Sequence, residues 1–144
     1  MPYSTYVRAM MINVCGPFLS IQRSLPLLRS KESGRPSWLK PRILVLSSKA
    51  DEGRYAGRSA YNTSKAALSR LIDNLVNEER ESGVEILGIY PGFTQTGLAA
   101  GLINREFDHV LWPEEAEKYR RWIEGGKVEG PEWCGEACAK IGSL

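Results

Sequence analysis

The sequence predicts an α/β protein built on a small parallel sheet. Two apolar segments, 42–48 and 84–90, have the length of strands, and a long helical segment separates them. Apolar runs without alternation are typical of parallel strands, which are covered on both faces. A strand, a helix and a second strand in this order form a right-handed crossover unit. We therefore expect two parallel strands, of which the first suits burial on both faces.

The segment from about Tyr6 to Ser30 is predicted to be one long helix with a bend. Its apolar residues recur at spacings of three and four. Pro17 lacks an amide hydrogen and clashes with the carbonyl of Asn13, four residues earlier. We expect a kink at Asn13 that leaves a backbone carbonyl free to bind water. The alternative is a tolerated kink with Asn13 on the surface.

A second helix is predicted from Tyr61 to about Ser82, with Gly83 as its terminator. Residues 77–81 carry the charges of a solvated helix end. Tyr61 and Lys65 are four residues apart, so they share one face of this helix. A phenol normally titrates near pH ~10, and a neighbouring ammonium favours its ionised form. Such a pair can transfer protons, although the same spacing also occurs on ordinary helices.

The remainder of the chain is predicted to form a substrate lid over about residues 97–130, within a single domain of residues 1–144. It contains apolar and aromatic residues beside the end of a parallel strand, among them Phe107, Leu111 and Trp112. Helices are predicted to begin at Pro113 and Pro131. A packed satellite subdomain is the alternative to a lid.

Composition excludes several classes of function. A net charge of +2 over 144 residues provides no field for nucleic acid, and no apolar run reaches the ~20 residues of a membrane span. Neither a signal peptide nor a metal site is expected, and three cysteines without a Cys-x-x-Cys motif fit reduced thiols in the cytoplasm. His109 is the only histidine and no Gly-x-Ser-x-Gly elbow occurs, which argues against a serine hydrolase.

The carboxyl ends of parallel strands meet at one sheet edge, where ligands bind. Ser47 and Ser48 end the first strand, and Pro91-Gly92 closes the second. The helix that carries Tyr61 and Lys65 follows the loop after Ser48. A hydroxyl, a phenol and an ammonium therefore meet at this edge, a set that can polarise a carbonyl and move a proton.

Four segments together resemble the short-chain dehydrogenase/reductase family. They are Asn13-Val14-Cys15-Gly16, the strand from Ile43 to Ser48, Tyr61-Asn62-Thr63-Ser64-Lys65, and Pro91-Gly92-Phe93-Thr94-Gln95-Thr96. A serine 13 residues before the tyrosine and a Pro-Gly turn after the next strand make the match specific. The resemblance covers about Met10 to Thr96. It implies a Rossmann-like, doubly wound parallel sheet, of which this chain would contain the C-terminal half only.

The resemblance also implies roles for individual residues in hydride transfer between NAD or NADP and a carbonyl or alcohol substrate. Tyr61 would be the general acid and base, and Lys65 would stabilise its phenolate and bind the nicotinamide ribose. Ser48 would hold the substrate carbonyl, and Asn13 would hold the kinked helix and a water that relays protons to Lys65. The implied cofactor-binding residues are Tyr61, Lys65, Pro91, Gly92, Thr94 and Thr96.

The sequence departs from the family at both ends. It contains no Gly-x-x-x-Gly-x-Gly turn to hold the pyrophosphate, and it stops before the final strand that the family adds after the last helix, so we expect a domain truncated at the N-terminus and also at the C-terminus. Three functions fit this pattern. The chain is part of an NAD(P)-dependent oxidoreductase, a catalytically silent protein that forms homo-oligomers through helices 6–30 and 61–82, or a small-molecule binding module.

Overall fold

The computed structural model describes residues 1–30, 34, 36, 38–54, 57–103 and 113–143. The helices are α1 (Tyr3–Met10), α2 (Gly16–Arg29), α3 (Ser59–Glu78), α4 (Gly97–Ile103), α5 (Pro113–Glu124) and α6 (Pro131–Ser143), and the strands are β1 (Arg42–Leu46) and β2 (Glu85–Ile89). A π-helical turn, Met11–Cys15, joins α1 to α2, and a 3₁₀ turn, Lys49–Asp51, follows β1. The predicted lid residues Phe107, Leu111 and Trp112, and also His109, lie outside the described residues.

The two strands form a parallel sheet, as the sequence predicts. Arg42 pairs with Glu85 at one end, and Leu46 pairs with Ile89 at the other. The pairing continues one residue further, because the amide of Ser47 donates to the carbonyl of Ile89 at 2.8 Å. The α/β class and the parallel connection are therefore confirmed.

The core lies between the sheet and the helices α2 and α3. Leu68 on α3 is 1% exposed and lies within this cluster. Gly88 on β2 faces α3, and a Cβ there would be in ordinary van der Waals contact with the Ile72 side chain at 3.4 Å. The buried core residues are Ile21, Leu25, Val45, Leu68, Ile72, Leu75, Val84 and Ile86.

The opposite face of the sheet is not covered by the part of the chain that the structure describes. Leu46 and Leu87 are both exposed. The expectation that the first strand is buried on both faces is therefore wrong for Leu46. An apolar run shows that a strand can be buried on two faces, but it does not show which part of the chain would pack on the second face.

A π-helical turn interrupts the first helical segment. The amide of Gly16 donates to the carbonyl of Met11, five residues earlier, which is the π-helical pattern. Asn13 lies in the middle of this turn and is half-buried. The predicted interruption is present at Asn13, but its form is a π turn, and Pro17 lies in the first turn of α2.

The end of α3 is not a purely solvated one. The helix ends at Glu78, earlier than the predicted Ser82, and residues 79–83 form turns that include Gly83 with a φ of 77°. Gly83 is therefore not the residue that terminates the helix. Glu79, however, is buried, and both its carboxylate oxygens accept hydrogen bonds from the guanidinium of Arg29. The interpretation of Glu79 as a solvated charge is wrong, because its partner comes from the end of a different helix.

Residues after β2 pack back onto the chain. The amide of Gln95 donates to the carbonyl of Glu129 at 3.1 Å, and Thr94 forms a parallel bridge with Glu129. The Phe93 ring stacks on Tyr119 of α5, with centroids 4.3 Å apart. Both contacts fix the base of the predicted lid region. Among the described helices, none has the length and apolar character to cross a membrane.

Candidate active site

Ser48 directly follows the pairing of β1 with β2, at the carboxyl edge of the sheet. Its backbone is extended, and its Oγ accepts a hydrogen bond from the amide of Ala50 at 3.2 Å. The hydroxyl therefore caps the 3₁₀ turn that follows, as serine does at helix starts. Its own hydrogen remains available to donate to a ligand oxygen.

Tyr61 and Lys65 lie in the first two turns of α3. The Nζ of Lys65 donates to the carbonyl of Leu46 at 3.2 Å and lies 5.9 Å from the centroid of the Tyr61 ring. Lys65 therefore joins the tyrosine to the carboxyl end of β1. Its partial burial lowers the pKa of the Lys65 ammonium. The Tyr61 side chain is 40% exposed and can be reached from solvent.

Asn13 is tied to the same helix through Ser64. Its Nδ2 donates to the Oγ of Ser64 at 2.9 Å, and that hydroxyl donates to the carbonyl of Tyr61 at 2.8 Å. Ser64 is fully buried. This chain of hydrogen bonds fixes the π turn of the first helical segment against the turn that carries the tyrosine and the lysine.

The segment after β2 lies at the same edge. Gly92 has a φ of 75°, and a Cβ at this residue would meet no atom within 4 Å, so a flat group can approach its backbone. Thr94 donates its hydroxyl to the carbonyl of Pro91 at 3.5 Å. The Oγ1 of Thr96 accepts from the amide of Ala99 at 3.2 Å and so caps α4.

Metal chemistry has no obvious ligand set in this part of the molecule. Among the side chains that the structure describes, no three of His, Cys, Asp or Glu are grouped to hold a metal ion. Cys134 and Cys138 lie on α6, where burial and the neighbouring Cys138 raise the pKa of Cys134. A raised pKa keeps this sulfur as a thiol, which is a poor ligand and a poor nucleophile.

A sequence model described as short chain dehydrogenase matches residues 2–106. The chain belongs to the short chain dehydrogenase family. One relative, the 7alpha-hydroxysteroid dehydrogenase of Escherichia coli, is 29% identical over 77% of this chain and 41% of its own length.

Solved structures support the same relationship. A short chain dehydrogenase/reductase from Saccharomyces cerevisiae superposes with a TM-score of 0.75 over 90% of this chain and 47% of that protein, at 22% identity, which shows the fold. The RhlG/NADP active-site complex of Pseudomonas aeruginosa has a TM-score of 0.61 and 30% identity, over 72% of this chain and 40% of that protein. The chain thus adopts part of a Rossmann-like fold and spans less than half the length of these relatives.

Two residues that are bonded to the elements of this candidate site were not predicted from the sequence. Ser64 lies between Tyr61 and Lys65, and its only sequence signal is a small polar residue on the inward face of a helix. Asp51 lies three residues after Ser48 and accepts hydrogen bonds from two distant elements. Nothing in the local sequence indicates these long-range partners.

Proposed function

We propose that the protein is an NAD(P)-dependent oxidoreductase that interconverts a carbonyl and an alcohol, with Tyr61 as general acid and base. The observation that carries this proposal is the position of Lys65. Its ammonium lies beside the Tyr61 ring and is bound to Leu46, two residues before Ser48. An ammonium held there lies close to the phenol that would exchange a proton with the substrate oxygen.

Each side chain has a distinct part in the proposed reaction. Ser48 donates a hydrogen bond to the carbonyl oxygen of the substrate. Tyr61 gives a proton to that oxygen during reduction and removes it during oxidation. Asn13 holds the π turn against Ser64 and supports the path by which the proton is replaced at Lys65.

The residues present fit the nicotinamide end of the cofactor. Lys65 uses one of its three N–H groups on Leu46 and can offer the others to ribose hydroxyls. The open backbone at Gly92 leaves room for a flat ring, walled by Pro91 and Thr94. When bound, the nicotinamide supplies or accepts the hydride. The similarity to an NADP complex from Pseudomonas aeruginosa makes NADP a reasonable first choice, with NAD the other.

The test is to replace Tyr61 by phenylalanine in the full-length protein. The Tyr61→Phe variant should lose turnover by about 10²-fold or more, because the proton donor is absent, and should keep the affinity for NAD(P)H. Steady-state kinetics on carbonyl substrates and fluorescence titration of NAD(P)H measure the two quantities. Tyr3→Phe removes the same hydroxyl from an exposed ring on α1 and serves as the control. Near-normal kcat in Tyr61→Phe would overturn the assignment.

A second proposal is a catalytically silent protein that acts by association with a second copy of itself. It is supported by apolar side chains on the first helical segment that face solvent, with Met11 56% and Ile12 59% exposed. Contiguous exposed apolar surface of this kind is typical of interaction sites. The association state in solution, together with the absence of turnover, would favour this function over the first.

A further inference from the structure

A carboxylate outside the proposed reacting groups joins three elements of the site. Asp51 ends the 3₁₀ turn that Ser48 caps. Its Oδ2 accepts a hydrogen bond from the hydroxyl of Ser69 on α3 at 2.7 Å and another from the hydroxyl of Tyr90, after β2, at 2.8 Å. We call Asp51, Ser69, Tyr90 and Ser47 the Asp51 cluster.

Ser47 connects the Asp51 cluster to the end of β1. The hydroxyls of Ser47 and Ser69 are 3.1 Å apart. Because Ser69 gives its hydrogen to Asp51, the hydroxyl of Ser47 is the donor to Ser69. Hydrogen bonds therefore run from the end of β1 to α3 and return to the turn that follows β1. Ser69 lies one helical turn after Lys65, so the cluster holds the same helix that carries the proposed proton donor.

Asp51 is suited to this role by its charge. Its partial burial acts to raise the pKa of its carboxyl, but the hydrogen bonds from Ser69, Tyr90 and the amide of Glu52 lower it, and the net pKa lies below the ordinary value. The group is therefore a carboxylate at neutral pH. Hydrogen bonds to an ionised acceptor are shorter and stronger than those between neutral groups, so the cluster holds its geometry firmly.

The three joined elements each carry one part of the proposed site. Ser48 begins the turn, Tyr61 and Lys65 lie on α3, and Pro91 follows Tyr90. We propose that Asp51 is a positioning residue for the oxidoreductase reaction described above, on which this inference rests. It fixes the Ser48 hydroxyl relative to the tyrosine and to the wall formed after β2. Holding reacting groups in a fixed geometry contributes to the rate without any contact with substrate.

The experiment compares Asp51→Asn and Tyr90→Phe with the control Glu52→Gln in the full-length protein. Glu52 is an adjacent acid that, among the described residues, pairs with Lys49 alone, in an exposed ion pair at 3.5 Å. Tyr90→Phe deletes a single hydroxyl from an exposed ring and carries the test should Asp51→Asn fail to fold. The readouts are hydrogen exchange by mass spectrometry in a peptide that covers residues 48–52, and the separate values of kcat and KM.

We expect hydrogen exchange in this peptide to become about tenfold faster in Asp51→Asn and Tyr90→Phe, because each variant loses a hydrogen bond to a charged group. In Glu52→Gln the exchange rate should stay at the wild-type value. The kcat of the first two variants should fall about tenfold with little change in KM, the result of lost geometry and not of lost binding. If the wild type shows no turnover, the proposed function fails, while the exchange comparison still decides whether Asp51 holds the Ser48 turn. Equal exchange in all variants, or equal acceleration in a peptide around Leu68, would overturn the proposal.

Discussion

Glu79 is a buried carboxylate whose charge is balanced by the guanidinium of Arg29. The carboxylate accepts two hydrogen bonds from Arg29, which comes from the end of α2, and the hydroxyl of Ser82 donates to the backbone carbonyl of Glu79 at 2.8 Å. The bonds from Arg29 lower the pKa of Glu79 below its ordinary value of 4.5 although burial acts in the opposite direction. The pair thus joins the ends of the two helices that cover the sheet.

We expect Glu79→Gln to lower the free energy of unfolding by about 1–3 kcal/mol at neutral pH, since a charged acceptor is lost. The folded pKa of Glu79 is depressed, so its contribution is complete above pH ~4.5 and is lost as the pH falls through the folded value. The difference between wild type and variant should therefore shrink in acid. Urea unfolding at a series of pH values measures it.

Glu78→Gln is the matched control, because Glu78 is the exposed neighbour on the same helix. Its effect should stay within about 0.5 kcal/mol at every pH. A Glu79→Gln difference that is constant from neutral to acid pH would show that the ion pair does not contribute through its charge.

At the scale of elements, α3 organises both the core and the site. Its inward face carries Leu68, Ile72 and Leu75, and its first two turns carry Tyr61 and Lys65. The spacing of its apolar residues predicts this helix and its inward face. The same packing that buries Leu68 therefore sets where the tyrosine and lysine lie relative to the sheet.

Leu68→Ala should cost about 2–5 kcal/mol, because it removes a side chain that is 1% exposed and leaves a cavity. Val76→Ala on the same helix is the control, since Val76 is 43% exposed and its loss should cost less than about 1 kcal/mol. Denaturant unfolding monitored by circular dichroism compares them. Equal costs for the two variants would contradict the placement of Leu68 in the core.

The positions of the main helices and strands can be predicted from the sequence, whereas the details of how they are joined depend on contacts between distant residues. The strands and α3 follow from periodicity, and the interruption near Asn13 follows from Pro17. The π form of that turn does not, nor does the hydrogen bond from Asn13 to Ser64, which joins residues 51 positions apart. The fixed base of the lid region likewise depends on the bonds of Thr94 and Gln95 to Glu129. Such pairings leave no local signal.

At the scale of the whole molecule, the described residues leave apolar surface uncovered in two places. One is the exposed part of the first helical segment, and the other is the sheet face that carries Leu46 and Leu87. A groove of about 290 Å³ also runs between α2 and β1, lined by Pro17, Ile21 and the strand from Ile43 to Leu46 among others. Surfaces of this kind favour association, and helices 6–30 and 61–82 are the proposed contacts with a second copy.

The last prediction tests that association directly. Ile12→Glu places a charge at a position that is 59% exposed in the single chain. If a second copy covers this surface, the charge must be desolvated, which is costly, and the variant should be monomeric where the wild type is dimeric.

Ala139→Glu adds the same charge at an exposed position on α6 and should leave the dimer intact. Sedimentation velocity over a concentration series distinguishes the three proteins. A monomeric wild type, or a dimer in Ile12→Glu as stable as the wild-type one, would remove this surface from the interface. In that case the exposed apolar residues of the first helical segment would have no part in self-association.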